Sequence, residues 1–129
     1  HSGPTTWTYP APGIISPSEI LGGILSNPSP ALLVQWGCWN SYHVMPQAQT
    51  MGHAWLLGPR GANAVIGASA LTDAANDAVL AEALARALTR EPSIGEALQA
   101  AKRELAASRP DAVDVLLGTT LLGDPTLPY

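Results

Sequence analysis

The chain has 129 residues, 47% of them hydrophobic and 12% charged, with a formal net charge of −4. That balance suits one packed domain and argues against disorder. Nucleic-acid binding gains little electrostatic support from so few cations, and no apolar run reaches the roughly 18 residues of a membrane-spanning helix.

Residues 1–15, "HSGPTTWTYPAPGII", are rich in Gly, Pro and Thr and read as loop. The chain opens on His1 rather than Met, with no signal-like segment before it, which reads as a piece of a longer chain. In "SPSE", Ser16 fits an N-cap, Pro17 the first helical position and Glu19 the closing residue of a capping box. A short helix from Pro17 to about Leu25 follows, weakened by Gly22 and Gly23. "NPSP" breaks the chain at residues 27–30, and "ALLVQW" (31–36) is an apolar run of strand length. It lacks alternation, as expected of a strand covered on both faces.

"GCWNSYH" reads as loop, and a helix is expected from Pro46 to about Leu57, with Ala48, Met51 and Trp55 near one face. "GPRG" turns the chain into a second buried strand, "ANAVIGASA" (62–70). Asp73 to about Thr89 is the clearest helix, with Val79, Leu80, Ala83, Leu84, Ala87 and Leu88 at helical spacing. Ser93 and Glu96 form a second capping box. The helix it opens carries Ile94, Ala97, Leu98, Ala101 and Leu105 on one stripe. Lys102 and Arg103 lie in its later turns, where cations suit the dipole. In the tail, "DVLL" fits a helical turn or a strand, and "TTLL" reads as strand. The order of elements argues for an α/β fold with a mostly parallel sheet flanked by helices.

Such sheets place their chemistry beyond the carboxyl ends of the strands, and Cys38 follows "ALLVQW" at that end. It is the only cysteine. It cannot form an internal disulfide, and no Cys/His cluster has zinc spacing, so no metal is expected. A thiol becomes a nucleophile when a histidine serves as its base or cationic partner and backbone N–H groups receive the developing oxyanion. A lone cysteine after an apolar strand is also a common packing residue. His43 lies in the same loop and fits a solvated residue. His53 sits on a predicted helix and fits a capping or packing group. Composition and spacing do not rank these two against His1.

Resemblance ranks them. "HSGPTTW" resembles the catalytic-histidine segment of the gingipain-type cysteine peptidases, members of the caspase-like clan. "SPSEILGGIL", "ALLVQWGC", "GANAVIGASALT", "SIGEALQAAKREL" and "LLGDPTL" (121–127) match later segments of that family, in order, over nearly the whole chain. A related clan member, the caspase-like module fused to helical repeats, shares the "GA-x-AVI" strand, but "LLGDPTL" favours the gingipain type.

The resemblance implies a caspase-like fold of which residues 1–129 are the C-terminal portion. It implies a cysteine endopeptidase acting on peptide or protein substrates without a cofactor, with Cys38 as nucleophile and His1 as base or proton donor. The oxyanion hole would use backbone N–H groups of Cys38 and of Ser2 or Gly3. Trp39, Ser69 and Ala70 would line the substrate pocket. Trp7 reads as a structural lid over the histidine loop, and Gly123, Asp124 and Pro125 as a structural turn. Ser2 stands where the family usually has Gly. The family's domain also begins about three strands before the histidine, so the upstream half is an expected partner, as a companion chain or bound fragment. Relatives are often secreted or exposed on bacterial surfaces, though this sequence carries no address. The competing reading is a non-catalytic scaffold that keeps the core and has lost the oxyanion hole.

Overall fold

The structure, a computed structural model, describes residues 3–7, 13–24, 29, 31–45, 49–59 and 61–128. Its elements are α1 (Pro17–Leu21), β1 (Leu32–Val34), α2 (Met51–Leu57), β2 (Ala64–Ala68), α3 (Ala74–Ala87), α4 (Ile94–Ser108), α5 (Val113–Gly118) and β3 (Thr119–Gly123). Among the described residues they form one three-stranded sheet in the order β1-β2-β3.

β2 is central and buried along its whole length. Ala64 and Ile66 face one core, built with Leu80, Leu84, Leu98, Leu105 and Val115 from α3, α4 and α5. Val65 faces the other, with Ile20, Met51, Ala54 and Trp55 from α1 and α2. Helices therefore cover both faces, which explains why these strands lack polar alternation.

β1 runs parallel to β2, with Leu33 opposite Val65. β3 runs antiparallel to β2, with Leu122 opposite Val65 and Thr119 opposite Ala68. The sheet is thus mixed, where the element order alone led to a mostly parallel one. The cause lies in the connection. Two successive helices, α3 and α4, cross the sheet and bring the chain back to the end it left, so β3 starts beside the carboxyl end of β2. "DVLL" resolves as helix α5, which runs directly into β3.

The helix boundaries follow local chemistry. The Ser16 N–H and hydroxyl both donate to Glu19 Oε2, at 2.8 and 2.7 Å, holding Glu19 below the usual carboxylate range. α1 ends earlier than expected because Gly22 and then Gly23, at φ 81°, leave the helix. α2 starts at Met51, later than the expected Pro46. Residues 46–48, including Ala48, lie outside the described residues. Thr50 is extended (ψ 168°), and the Met51 N–H donates to the Pro4 carbonyl at 2.8 Å. Asp73 caps α3 by accepting the N–H groups of Ala75 and Asn76. Ser93 Oγ accepts the Glu96 N–H and donates to Glu96 Oε2.

The apolar stripe expected on α4 is the buried one: Ile94, Ala97, Leu98, Ala101 and Leu105. "LLGDPTL" supplies the end of β3 and a turn. Gly123 sits at φ 117°, where a Cβ would overlap the Asn63 carbonyl oxygen. Asp124 Oδ1 accepts the Thr126 N–H and hydroxyl, which lowers the affinity of its carboxylate for protons. The Pro125 and Leu127 carbonyls then accept the N–H groups of Gly95 and Ile94, at 2.8 and 3.0 Å, and complete the start of α4.

Candidate functional site around Cys38

β1 stops at Val34, and the chain turns sharply just beyond it. Gln35 makes one more sheet-like bond, N–H to the Ile66 carbonyl at 2.8 Å. Gly37 then takes φ 109° and Trp39 φ 60°. Glycine adopts such angles freely, whereas a bulky residue there costs about 1–3 kcal/mol and persists only when its surroundings hold it. Trp39 is held: its N–H donates to the Ala70 carbonyl at 3.1 Å, its carbonyl accepts the Tyr42 N–H, and its ring lies edge-on to Tyr42 at 5.0 Å. Cys38 is carried between these two residues, half-buried, at the carboxyl end of β1.

Asn40 braces the turn and has no exposed surface. Its Nδ2 donates to the carbonyls of Gln35 (3.2 Å) and Gly37 (2.8 Å), and its Oδ1 accepts the Ala68 N–H at 2.9 Å. Ser41 N–H donates to the Ala68 carbonyl at 2.9 Å. This approach needs a glycine opposite, since a Cβ at Gly67 would overlap Asn40 Oδ1 and Ser41 Oγ.

The sulfur faces the loop between β2 and α3. The Thr72 N–H points at Cys38 Sγ from 3.4 Å, the Thr72 carbonyl lies 3.5 Å away as acceptor for the S–H, and the Thr72 hydroxyl oxygen is at 3.9 Å. That hydroxyl donates to Asp77 Oδ2 at 2.8 Å. Asp77, on the first turn of α3, is only 7% exposed and also accepts the Gly37 N–H. Burial raises its proton affinity above the ordinary aspartate level, aided by the charges of Asp114 and Asp73, against the two hydrogen bonds.

The residues singled out from sequence are distributed as follows. Cys38, Trp39 and Ala70 converge at this end of the sheet. Ser69 is beside them, but its hydroxyl and N–H both donate to the Gly118 carbonyl, at 3.0 and 2.8 Å. His1 and Ser2 lie outside the described residues. Gly3 is described, and its N–H is engaged by the Thr6 carbonyl at 3.0 Å within a tight turn. Of the two alternative histidines, His53 Nδ1 pairs with Thr50 Oγ1 at 3.3 Å, a side-chain contact at the start of α2. His43 is exposed, its Nδ1 3.3 Å from the Ser41 carbonyl. Trp7 packs against Trp55 at 6.4 Å between ring centres and bridges backbone with Ile15, so it is a core anchor of its loop.

Sequence reading missed Asn40, Thr72 and Asp77. Asp77 carried a signal: it falls in phase with Leu80, Leu84 and Ala87, a carboxylate on an apolar stripe. Asn40 carried none, because its partners are up to 28 positions away. Among the described residues no group of His, Cys, Asp and Glu is arranged to hold a metal ion, and no helix is long and apolar enough to cross a membrane.

The architecture matches solved structures. The chain superposes on the Arg-specific cysteine proteinase gingipain R (RgpB) with a TM-score of 0.86 at 16% identity, over 100% of this chain and 32% of that one. The complex of the pro- and mature domains of Porphyromonas gingivalis RgpB gives a TM-score of 0.83, again at 16% identity, 100% and 32% coverage. The fold is therefore the caspase-like α/β fold, and this chain spans about a third of the length of those relatives. None of the curated proteins matches it in sequence. The model of peptidase family C25 matches residues 1–129, and the chain belongs to that family.

Proposed function

We propose that residues 1–129 are the C-terminal portion of a cysteine endopeptidase domain in which Cys38 attacks the scissile carbonyl and His1 moves the protons. The observation that carries this reading is the presentation of Cys38. In a chain of a peptidase family, its single thiol stands at the carboxyl end of a buried strand, between two left-handed residues, with a backbone N–H directed at the sulfur.

In the proposed cycle, the Cys38 thiolate forms a tetrahedral intermediate and the imidazole of His1 protonates the departing amine. Water then releases the acyl group from sulfur. Backbone N–H groups of Cys38 and Ser2 would receive the oxyanion, the Gly3 N–H being taken within its own turn. Trp39 and Ala70 are proposed to border the substrate pocket. The rest of the cleft and the strand leading into His1 would come from an upstream half of the domain. The bond from Met51 N–H to the Pro4 carbonyl fits this, because it docks the segment following His1 onto the start of α2.

The test is hydrolysis of a fluorogenic casein by the full-length protein, together with labelling by a peptidyl acyloxymethyl ketone. Cys38→Ala and His1→Ala are each expected to lower turnover on the order of 10³-fold or more, with Cys38→Ala abolishing labelling. The second reading, a non-catalytic scaffold, draws on the engaged Gly3 N–H. Unlabelled, inactive wild-type protein that is otherwise well folded would favour it.

A further inference from the structure

Asp77 lies outside the proposed Cys38–His1 pair, yet it touches both loops that meet at the sulfur. It accepts the N–H of Gly37, the residue before Cys38, and the hydroxyl of Thr72, the residue whose N–H faces Sγ. We propose that Asp77 is a positioning residue that controls, through the Thr72 hydroxyl, which hydrogen bonds the Cys38 sulfur receives. The proposal rests on the reading of Cys38 as the nucleophile.

One proton decides which bonds the sulfur receives. The Thr72 hydroxyl can donate once. Asp77 Oδ2 lies 2.8 Å from it and Cys38 Sγ 3.9 Å. A carboxylate at the shorter distance takes the proton, because charge-assisted hydrogen bonds are the stronger ones. The hydroxyl then turns an oxygen lone pair toward the sulfur, and the S–H is best accommodated by the Thr72 carbonyl at 3.5 Å. This arrangement favours the neutral thiol. Once Asp77 is protonated, its own O–H can donate to the Thr72 oxygen, and the hydroxyl proton is released toward Sγ. The sulfur then has two donors, the N–H and the O–H of Thr72, which favours the thiolate.

The groups facing Asp77 fit such a role. Asp73 on its own helix and Asp114 on α5 both add negative charge, and burial acts in the same direction. Asp114 is itself held by the Asp73 N–H (2.7 Å) and Asn76 Nδ2 (3.0 Å), so its carboxylate is fixed in place.

The experiment measures the rate of iodoacetamide alkylation of Cys38 from pH 5 to 9 in the full-length protein, with a thermal melt and casein hydrolysis on each sample. Asp77→Asn keeps the shape, accepts the Gly37 N–H and donates to the Thr72 oxygen. Its alkylation profile is expected to move about one pH unit toward acid, a roughly tenfold faster reaction on the acidic limb. Thr72→Ser should keep the wild-type profile, and in a Thr72→Val background Asp77→Asn should no longer shift it. An unshifted profile in Asp77→Asn with only a lower melting temperature would reduce Asp77 to a structural residue. A shift that persists in the Thr72→Val background would overturn the route through the hydroxyl. Wild-type protein that alkylates as expected but cleaves no casein would sink the peptidase reading and, with it, any part for Asp77 in catalysis, whereas an unshifted Asp77→Asn profile in a casein-cleaving protein would sink this proposal alone.

Discussion

Asn40 illustrates how much of the site is held by single side chains. Three hydrogen bonds of its side-chain amide tie both sides of the Cys38 turn to the end of β2. Removing the amide leaves the Ala68 N–H and the Gln35 and Gly37 carbonyls without it in a buried setting. Each unsatisfied group costs on the order of 1–3 kcal/mol, part of which local relaxation recovers. Asn40→Ala is therefore expected to destabilise the fold by about 3 kcal/mol in urea unfolding and to loosen the turn, raising Cys38 alkylation at fixed pH. A loss under about 0.5 kcal/mol would show that Trp39 and Ser41 hold the turn by backbone bonds alone. At this scale the sequence was legible for the place of Cys38 and opaque for what supports it. Cys38 was expected just beyond the carboxyl end of an apolar strand, and it stands there. Asn40 and Thr72 were not expected, because their roles exist only once residues 35–41 meet residues 68–77 in space.

Among the elements, α3 and α4 were readable because repeated leucine and alanine spacing and capped starts agree with one another. α5 and β3 were harder. Both are short, and α5 has no side-chain cap at its start. The support for α5 comes from outside. Lys102, expected to serve the end of its own helix, instead donates to the Leu116 and Thr119 carbonyls, at 2.8 and 2.5 Å, across the α5–β3 junction. Burial lowers its proton affinity below that of an ordinary lysine. The folded state therefore binds fewer protons than the unfolded chain between the folded value and the ordinary one, so this residue's contribution to stability rises with pH across that window. Below it, the desolvation penalty is fully present. Lys102→Met is expected to cost about 1–2 kcal/mol at neutral pH, from the two carbonyls left unpaired, and to remove that alkaline rise. Urea unfolding of both proteins from pH 7 to 10.5 tests this. Parallel pH curves would show that the ammonium is solvated. The exposed Arg86–Glu104 pair between α3 and α4, at 2.6 Å, is worth less, about 0.2–1 kcal/mol.

For the whole molecule, the central fact is the place of β1. Among the described residues it pairs with β2 alone, and no other described strand lies along its second edge. Leu32, Leu33 and Val34 are only partly buried, and such an edge invites pairing with another chain. Residues 1–129 expressed alone are expected to self-associate on gel filtration, and co-expression with the upstream segment should return a single species with a cooperative melt. A monodisperse monomer of residues 1–129 would argue against a missing partner strand. The general architecture was legible from strand–helix order, with the direction of β3 the exception. That direction depends on how many helices separate two strands and on where the second of them ends, a property of the path in space.

The contact between the turn after β3 and the start of α4 also has a bearing on synthesis. Ile94 and Gly95 receive their hydrogen-bond acceptors only from Leu127 and Pro125. On a ribosome, α4 emerges complete in sequence at Ser108 but with its first turn open, and it waits for the nineteen residues up to Leu127 before those N–H groups are satisfied. A premature stop within that interval would release a polypeptide whose longest helix frays from its leading end although none of its own residues is missing.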